Sequence, residues 1–584
     1  MPALPGVSPP TRPTSLTTFT ITVDGQALPR TVSVVAIDVT SALNRVPAAR
    51  IVLYDGDAAK QDFEVSSGDL LVPGKSLEIA GGYDSDETTI FKGVITAQRI
   101  QVKRKGDSLL NVEARDPAFR LTLGRKSRYF TELTDSDLFG QILGNYSDLT
   151  LDVESTAITH AEIVQYQVSD WDLIVSRAEK LGLYCAAEGG TLRIAKPDLG
   201  QAAALTLTYG ADVFDLDLVM DARTQPKKIA ASAWDPAAQD LVTAEVDDVP
   251  APAQGNLAGP DLADVGALES LELRHSGPLQ QQEVDAWADA GMVKARFARI
   301  RGTVRCQGHE ALKPGVLVEL AGMGDRFNGT AFVSGVRHVL GGGDWETVVE
   351  VGLPPAWHTE CYPVSAPPGA GFTPAINGLH TGMVSQLQDD PAGEERILVR
   401  LPLISAVDPG VWSRLATLDA GNTRGSVFRP EIGDEVIVGF VNDDPHEPVV
   451  LGMLHSSNKP APIPASDDNH EKGLVTRSGM KVVFNDDTPS LTVETPAGNK
   501  VVVDDDQGSV TVTDQNGNTV TLSSDGIELE SAADITLRAA GDVSIEGVNV
   551  TVKASAAAGI EGGSGAALKS GGTTEVKGSL VQVN

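Results

Sequence analysis

The chain has 584 residues, with 46 basic and 79 acidic side chains and a formal net charge of −33 at pH 7. That length exceeds what one hydrophobic core supports and calls for about three to five folding units. So acidic a chain repels phosphate backbones and anionic headgroups, which excludes nonspecific nucleic-acid binding, and three scattered cysteines, Cys185, Cys306 and Cys361, exclude a disulfide framework or a cysteine-rich metal site.

Residues 1–15 are rich in Pro and Thr and predict a flexible tail. They lack the basic and apolar blocks of a secretory signal, so synthesis in the cytoplasm is expected. Stretches 18–23, 31–39, 76–79 and 109–114 are short, β-branched and partly alternating, as strands are. A helix is predicted after the N-capping run Thr134-Asp135-Ser136-Asp137, with Leu138, Ile142 and Leu143 on its apolar face. A second follows Ser169-Asp170 through Trp171, Ile174, Val175, Ala178 and Leu181, with Gly182 at its C-terminal cap. A third spans 281–299. Three Pro-, Gly- and Ala-rich stretches, 249–259, 364–374 and 458–468, read as linkers or exposed loops. Between 375 and 454 short strands return, including 396–401, 435–441 and 448–453, which suits a compact β-barrel.

The C-terminal segment differs in kind, because apolar residues recur in pairs two apart, such as Leu491/Val493, Val501/Val503, Val510/Val512 and Val520/Leu522. The series continues as Ile527/Leu529, Ile535/Leu537, Val543/Ile545 and Val550/Val552, with eight-residue steps between Ile527 and Val543. Each octad supplies one short strand with two inward side chains and then a turn of small or polar residues. One such strand closes no core, whereas three chains wound together bury every inward layer against two symmetry mates. These eight last residues, Ile527 to Val552, are the predicted core of a trimeric prism. A single-chain solenoid is the competing reading, but its coils need about twenty or more residues each.

The stretch 377–458 carries a recognisable pattern. It contains Phe428-Arg429-Pro430-Glu431-Ile432-Gly433-Asp434 ahead of one strand, then Asp444-Pro445-His446-Glu447-Pro448 leading into a strand that reaches Gly452. This resembles the OB-fold domain of VgrG-type spikes and phage baseplate spikes, with Phe428, Pro430, Gly433, Asp434, Asp444, Pro445, Pro448 and Gly452 as the matching positions. Upstream, Ser169-Asp170-Trp171-Asp172-Leu173-Ile174 and Glu179-Lys180-Leu181-Gly182-Leu183-Tyr184 resemble the hub of the same family more loosely. The resemblance implies a mainly β protein: hub β-barrels with helical insertions, an OB-fold barrel, and an intertwined trimeric β-helix. The corresponding segments are 16–365 for the hub, 366–374 a linker, 375–457 the barrel, 458–470 a linker and 471–584 the spike. It also implies a homotrimer that binds inner-tube and baseplate proteins through its hub. A PAAR-repeat tip protein would bind near Val576, Leu580, Val581 and Val583, with effector cargo as an optional passenger. A membrane would be met only as a puncturing target.

Catalytic readings find little support. His309-Glu310 begins like a zinc-protease motif, but Lys313 stands where the second His belongs. Asp504-Asp505-Asp506 lies between apolar pairs, where a solvated turn is the natural use, and Gly341-Gly342-Gly343-Asp344 suits a hairpin turn. No histidine follows Leu474. The expectation is therefore a mechanical, non-enzymatic part without cofactor or metal, belonging to an injection particle. A glycan-degrading or receptor-binding tailspike is the alternative.

Overall fold

A computed structural model describes residues 16–104 and 106–583. The predicted Pro-rich tail, 1–15, lies outside the described residues. The chain divides into two compact units between Ala375 and Ile376.

In the first unit one 13-stranded sheet is the frame. Its strands run in the order Val213–Met220, Ile300–Gln307, Asp344–Val351, Gly329–Gly341, Val34–Ala42, Ala48–Tyr54, Ser108–Arg115, Asp86–Val102, Ser76–Tyr83, Thr17–Val23 and Gln26–Ala27. Leu317–Ala321 pairs with Gly329–Gly341 and carries Leu205–Thr208 beside it. The strand expected at 31–39 begins three residues later, after the bend at 31–33. Two cores form on this frame. Ile37, Ile51, Ile79, Leu110 and Val112 fill one, and Val304, Leu320, Val333 and Val349 fill the other. Alternation explains both: strand residues two apart share a face, and burying each Leu, Ile or Val contributes about 1.5–3 kcal/mol. The expected paired barrels thus take the form of two cores on one continuous sheet, joined where Gly329–Gly341 pairs with Val34–Ala42.

One helix-bearing layer is inserted between Arg115 and Leu205 and another between Met220 and Ile300. Helix Asp135–Leu143 starts at Thr134, whose hydroxyl accepts from the Asp137 N–H while the Asp137 carboxylate accepts from the Thr134 N–H. Helix Asp170–Lys180 is capped by Ser169, and Gly182 just beyond it has a positive φ. Helix Gln281–Phe297 packs Val284, Ala288 and Met292 on Ile229 and Ala231 of strand Lys228–Asp235. The first two follow the capping and spacing signals of the sequence, and the third, expected over 281–299, ends at Phe297.

The stretch 249–259 is no linker. Arg299 donates to the carbonyls of Leu257, Pro252 and Gln254, and Gly255 N donates to Asn328 O. A buried guanidinium needs acceptors, and this proline-interrupted backbone has carbonyls free to supply them.

The second unit opens with a closed five-stranded barrel ordered His380–Gln386, Ile397–Arg400, Val411–Leu415, Pro448–Met453 and Glu435–Phe440. Val384, Ile397, Val399, Val436, Val438 and Val450 fill it. A seven-stranded antiparallel meander follows, from Glu471–Val475 to Gly526–Glu530.

Candidate assembly interface

The meander's register turns the apolar pairs into two ladders. Phe484, Leu491, Val503, Val510, Leu522 and Ile527 stand opposite one another in turn, as do Val482, Val493, Val501, Val512, Val520 and Leu529. Directly opposed residues share a face, so the pairs from Leu491/Val493 to Ile527/Leu529 fall on one side of the sheet. Within one chain that face is half open: Phe484, Val493, Val503, Val512 and Leu522 remain exposed.

Here the structure departs from a uniform prism over 471–584. Up to Glu530, turns of about four residues fold each strand back on its predecessor within one chain. From 531 to 583, where the octads run, the described residues form no strand. The apolar side chains of the octads, from Ile527 and Leu529 in the last strand onward, stand in solvent: Ile527 is 74%, Leu537 73% and Ile545 73% exposed, with Leu529, Ile535, Val543, Val550 and Val552 also exposed. Val576, Leu580, Val581 and Val583 are exposed as well. A two-residue apolar period without a covering layer is what one wall of a shared core presents.

The barrel motif closes two turns. Gly433 has a φ of +87°, a left-handed conformation that a side chain disfavours. Its N–H donates to Val384 O, and the Asp434 carboxylate accepts from the Glu431 N–H at 2.9 Å and from Lys459 Nζ at 2.8 Å. Burial works to raise the Asp434 pKa, but Lys459 and the Glu431 N–H outweigh it and hold it below the ordinary value. Pro430 and Pro448 are buried at the strand entries, while Phe428 is exposed. In the second turn Asp444 accepts from His446 N at 2.9 Å and faces His446 Nδ1 at 3.0 Å, and these bonds lower its pKa. Pro445 is half-buried in that turn, and Gly452 is half-buried further along strand Pro448–Met453, opposite Ile437. Arg477 of the repeat reaches Glu431 at 2.7 Å. The first of these turns thus lies where barrel and repeat meet, while the second closes the opposite end of strand Glu435–Phe440.

Sequence reading missed the polar clusters of the hub. Asp170, fully buried, accepts from Lys126, Arg128, Gln165 and Tyr146. Burial alone would raise its pKa, yet these bonds outweigh it and the pKa is lowered. Glu179 ties Lys294, Asn44 and the His358 N–H together. The only sequence signal was two acids, Asp170 and Glu179, on a face otherwise apolar. His309 lies in a loop where its Nδ1 accepts from Ala311 N, and Lys313 pairs with Glu188. Gly342 and Gly343 link paired strands with positive φ at both, a two-residue hairpin turn. Asp504 accepts from Gln507 N and closes its turn. Among the described residues no group of three or more His, Cys, Asp or Glu side chains converges as a metal site, and no helix is long and apolar enough to cross a membrane.

Comparison with known proteins meets this geometry at three places. The family described as Alg8 N-terminal domain matches residues 13–341, more than half the chain. The injector OB domain of type VI secretion systems and phage baseplates matches 380–455, the closed barrel. The phage baseplate V C-terminal trimerisation domain matches 490–554, the laddered meander and first octads. The chain belongs to the Alg8 N-terminal-domain family and is VgrG-like in its OB barrel and trimerisation domain. Spike protein VgrG3 of the Vibrio cholerae type VI secretion system is 33% identical over 13% of this chain and 7% of its own length. VgrG4b of Pseudomonas aeruginosa is 24% identical over 30% of this chain and 23% of its own. The chain thus spans less than a quarter of the length of either curated relative. A 43 kDa prophage tail protein from Shewanella oneidensis superposes with a TM-score of 0.44 at 13% identity, covering 58% of this chain and 99% of that one.

Proposed function

We propose that three copies of this chain form the hub and spike of a contractile injection particle, joining inner tube to baseplate and piercing the target envelope when the sheath contracts. The observation that carries the reading is the exposed octad series, an apolar wall that one chain leaves without a core, downstream of an injector OB barrel. Its work is force transmission. Continuous strand pairing with a dry interior leaves few places for local opening under load.

The hub, 16–365, takes the tube and baseplate proteins, the barrel, 375–457, couples hub to spike, and 471–584 is the needle. Ile527, Leu529, Ile535, Leu537, Val543, Ile545, Val550 and Val552 point to the threefold axis. Val576, Leu580, Val581 and Val583 meet a PAAR-repeat tip protein, since exposed apolar side chains are costly without a cover. The role is mechanical and not catalytic, the protein is made in the cytoplasm, and effector cargo is an optional passenger. Immunogold labelling of purified particles with antibody to this chain tests the reading. Label is expected at one pole, beneath the baseplate; label along sheath or tube would refute it.

A further inference from the structure

The dipeptide Asn-Gly occurs at Asn328-Gly329, Asn377-Gly378 and Asn516-Gly517. In each, the next main-chain nitrogen can close a five-membered ring on the asparagine amide carbon, and glycine has no Cβ to hinder the closure. The three differ in how the fold holds them. Asn328 Oδ1 accepts from Met323 N at 2.7 Å, and Gly329 stands in a strand opposite Leu320. Asn516 Nδ2 donates to Asp514 Oδ2 at 2.9 Å, and Gly517 N donates to Asp514 O at 3.2 Å. Ring closure at either place must first break such bonds, and each one lost is a cost.

Asn377-Gly378 is unrestrained at the reacting atoms. Both residues are exposed, and among the described residues neither the Asn377 side chain nor Gly378 N has a hydrogen-bond partner. A Cβ on Gly378 would meet nothing within 4 Å, so the backbone has room to turn. A neighbouring side chain also favours the chemistry. His380 Nε2 donates to Asn377 O at 3.1 Å, and its ring stands edge-on to Phe440 at 5.8 Å. A donor on that carbonyl draws density from the Asn377-Gly378 amide and stabilises the ionised form of its nitrogen.

We propose that Asn377-Gly378 is a site of spontaneous deamidation, assisted by His380, at the entrance to the barrel. Gly378 N gives up its proton and bonds to Asn377 Cγ, the Cγ–Nδ2 bond breaks, and Nδ2 leaves with that proton as ammonia. The succinimide that remains is opened by water. Attack at Cγ restores the main chain with a carboxylate on the side chain, and attack at the main-chain carbonyl leaves an isoaspartyl linkage through Cγ. Either product replaces a neutral amide by a negative charge. The isoaspartyl form also adds one carbon to the main chain between Ile376, whose N–H is held by Asp443 O, and strand His380–Gln386. This chemistry belongs to a single chain and holds whether or not three copies assemble.

The test ages the full chain at mildly alkaline pH and follows each Asn-Gly peptide by mass spectrometry, which reads the conversion of amide to acid. Labelled methyl transfer by an isoaspartyl methyltransferase counts the isoaspartyl product. Asn377 is expected to convert about tenfold or more faster than Asn516 and Asn328, because it has no hydrogen bonds to break first. Conversion at Asn377 no faster than at Asn516 would overturn the proposal. Asp514→Ala, which removes the side-chain hold on Asn516, should speed conversion there; an unchanged rate would contradict the claim that these bonds set the order. Asn377→Gln should remove the early methyl signal, and an undiminished signal would place the reactive residue elsewhere. His380→Phe keeps an aromatic ring beside Phe440 and should slow Asn377; an unchanged rate would overturn the part assigned to His380.

Discussion

Replacing Glu179 with Ala removes the carboxylate that ties the helical insertion to the rest of the hub. Its Oε1 accepts from Lys294 Nζ at 2.9 Å and Asn44 Nδ2 at 3.0 Å, and its Oε2 from His358 N at 2.7 Å. These partners come from helix Gln281–Phe297, the residues after strand Val34–Ala42, and the start of helix His358–Cys361. The Lys294 and Glu179 side chains are only 3% and 6% exposed. Removing one partner of such a buried pair leaves an uncompensated charge, and the expected loss is about 3–5 kcal/mol. Glu179→Gln should do nearly as badly. Its amide nitrogen must face either the His358 N–H or the Lys294 and Asn44 donors, and one donor is always left opposed to another. Urea unfolding followed by tryptophan fluorescence measures this, since five of the six tryptophans, Trp171, Trp234, Trp287, Trp345 and Trp357, lie in the first unit. A loss below about 1 kcal/mol, with unchanged urea sensitivity, would refute the claim that the pair is buried and cross-linking.

Val543→Asp should abolish the trimer, because three unpaired carboxylates in one dry layer cost several kcal/mol or more on the order of magnitude; a trimeric mass with unchanged melting would count against the inward assignment. Burial depresses His338 to about 4, so between there and 6.5 the unfolded chain holds more protons than the folded one. Hub stability should therefore fall by about 3 kcal/mol as pH drops through that window, and His338→Asn should remove the slope. Gly433→Ala should cost about 1–2 kcal/mol through its left-handed backbone, read as a lowered melting temperature of the barrel. Asp170, whose pKa is lowered, adds stability above the unfolded carboxylate range that is lost as pH falls below about 4; Asp170→Asn should flatten that acid limb.

What the sequence made legible is whatever is encoded locally. Thr134 with Asp137, and Ser169 ahead of Trp171, mark helix starts because a cap must sit within three residues of the N–H groups it satisfies. Gly433 and Asp434 mark a barrel turn for the same reason. The apolar pairs gave the face of the meander, since alternation survives whatever the strand pairs with. The spacing also held the difference between about ten residues per strand up to Leu522 and the octads after Ile527, yet only the register showed that the first set folds back within one chain. Long-range pairings left no local trace. Gly329–Gly341 joins Val34–Ala42 across some three hundred residues, and Arg299 pins the proline-rich stretch 249–259 that composition alone reads as a linker. Buried carboxylates such as Glu179 were invisible because their partners lie more than a hundred residues away.

Amide hydrogen exchange across 531–552 tests the central claim most directly, because the octads have no strand pairing within one chain. Any slowly exchanging amide there must bond to another copy. The account predicts strong protection at Ile535, Leu537, Val543 and Ile545 in protein whose mass is three times the 61.2 kDa of one chain. Exchange at unstructured rates through these residues, in a sample of that trimeric mass, would contradict it.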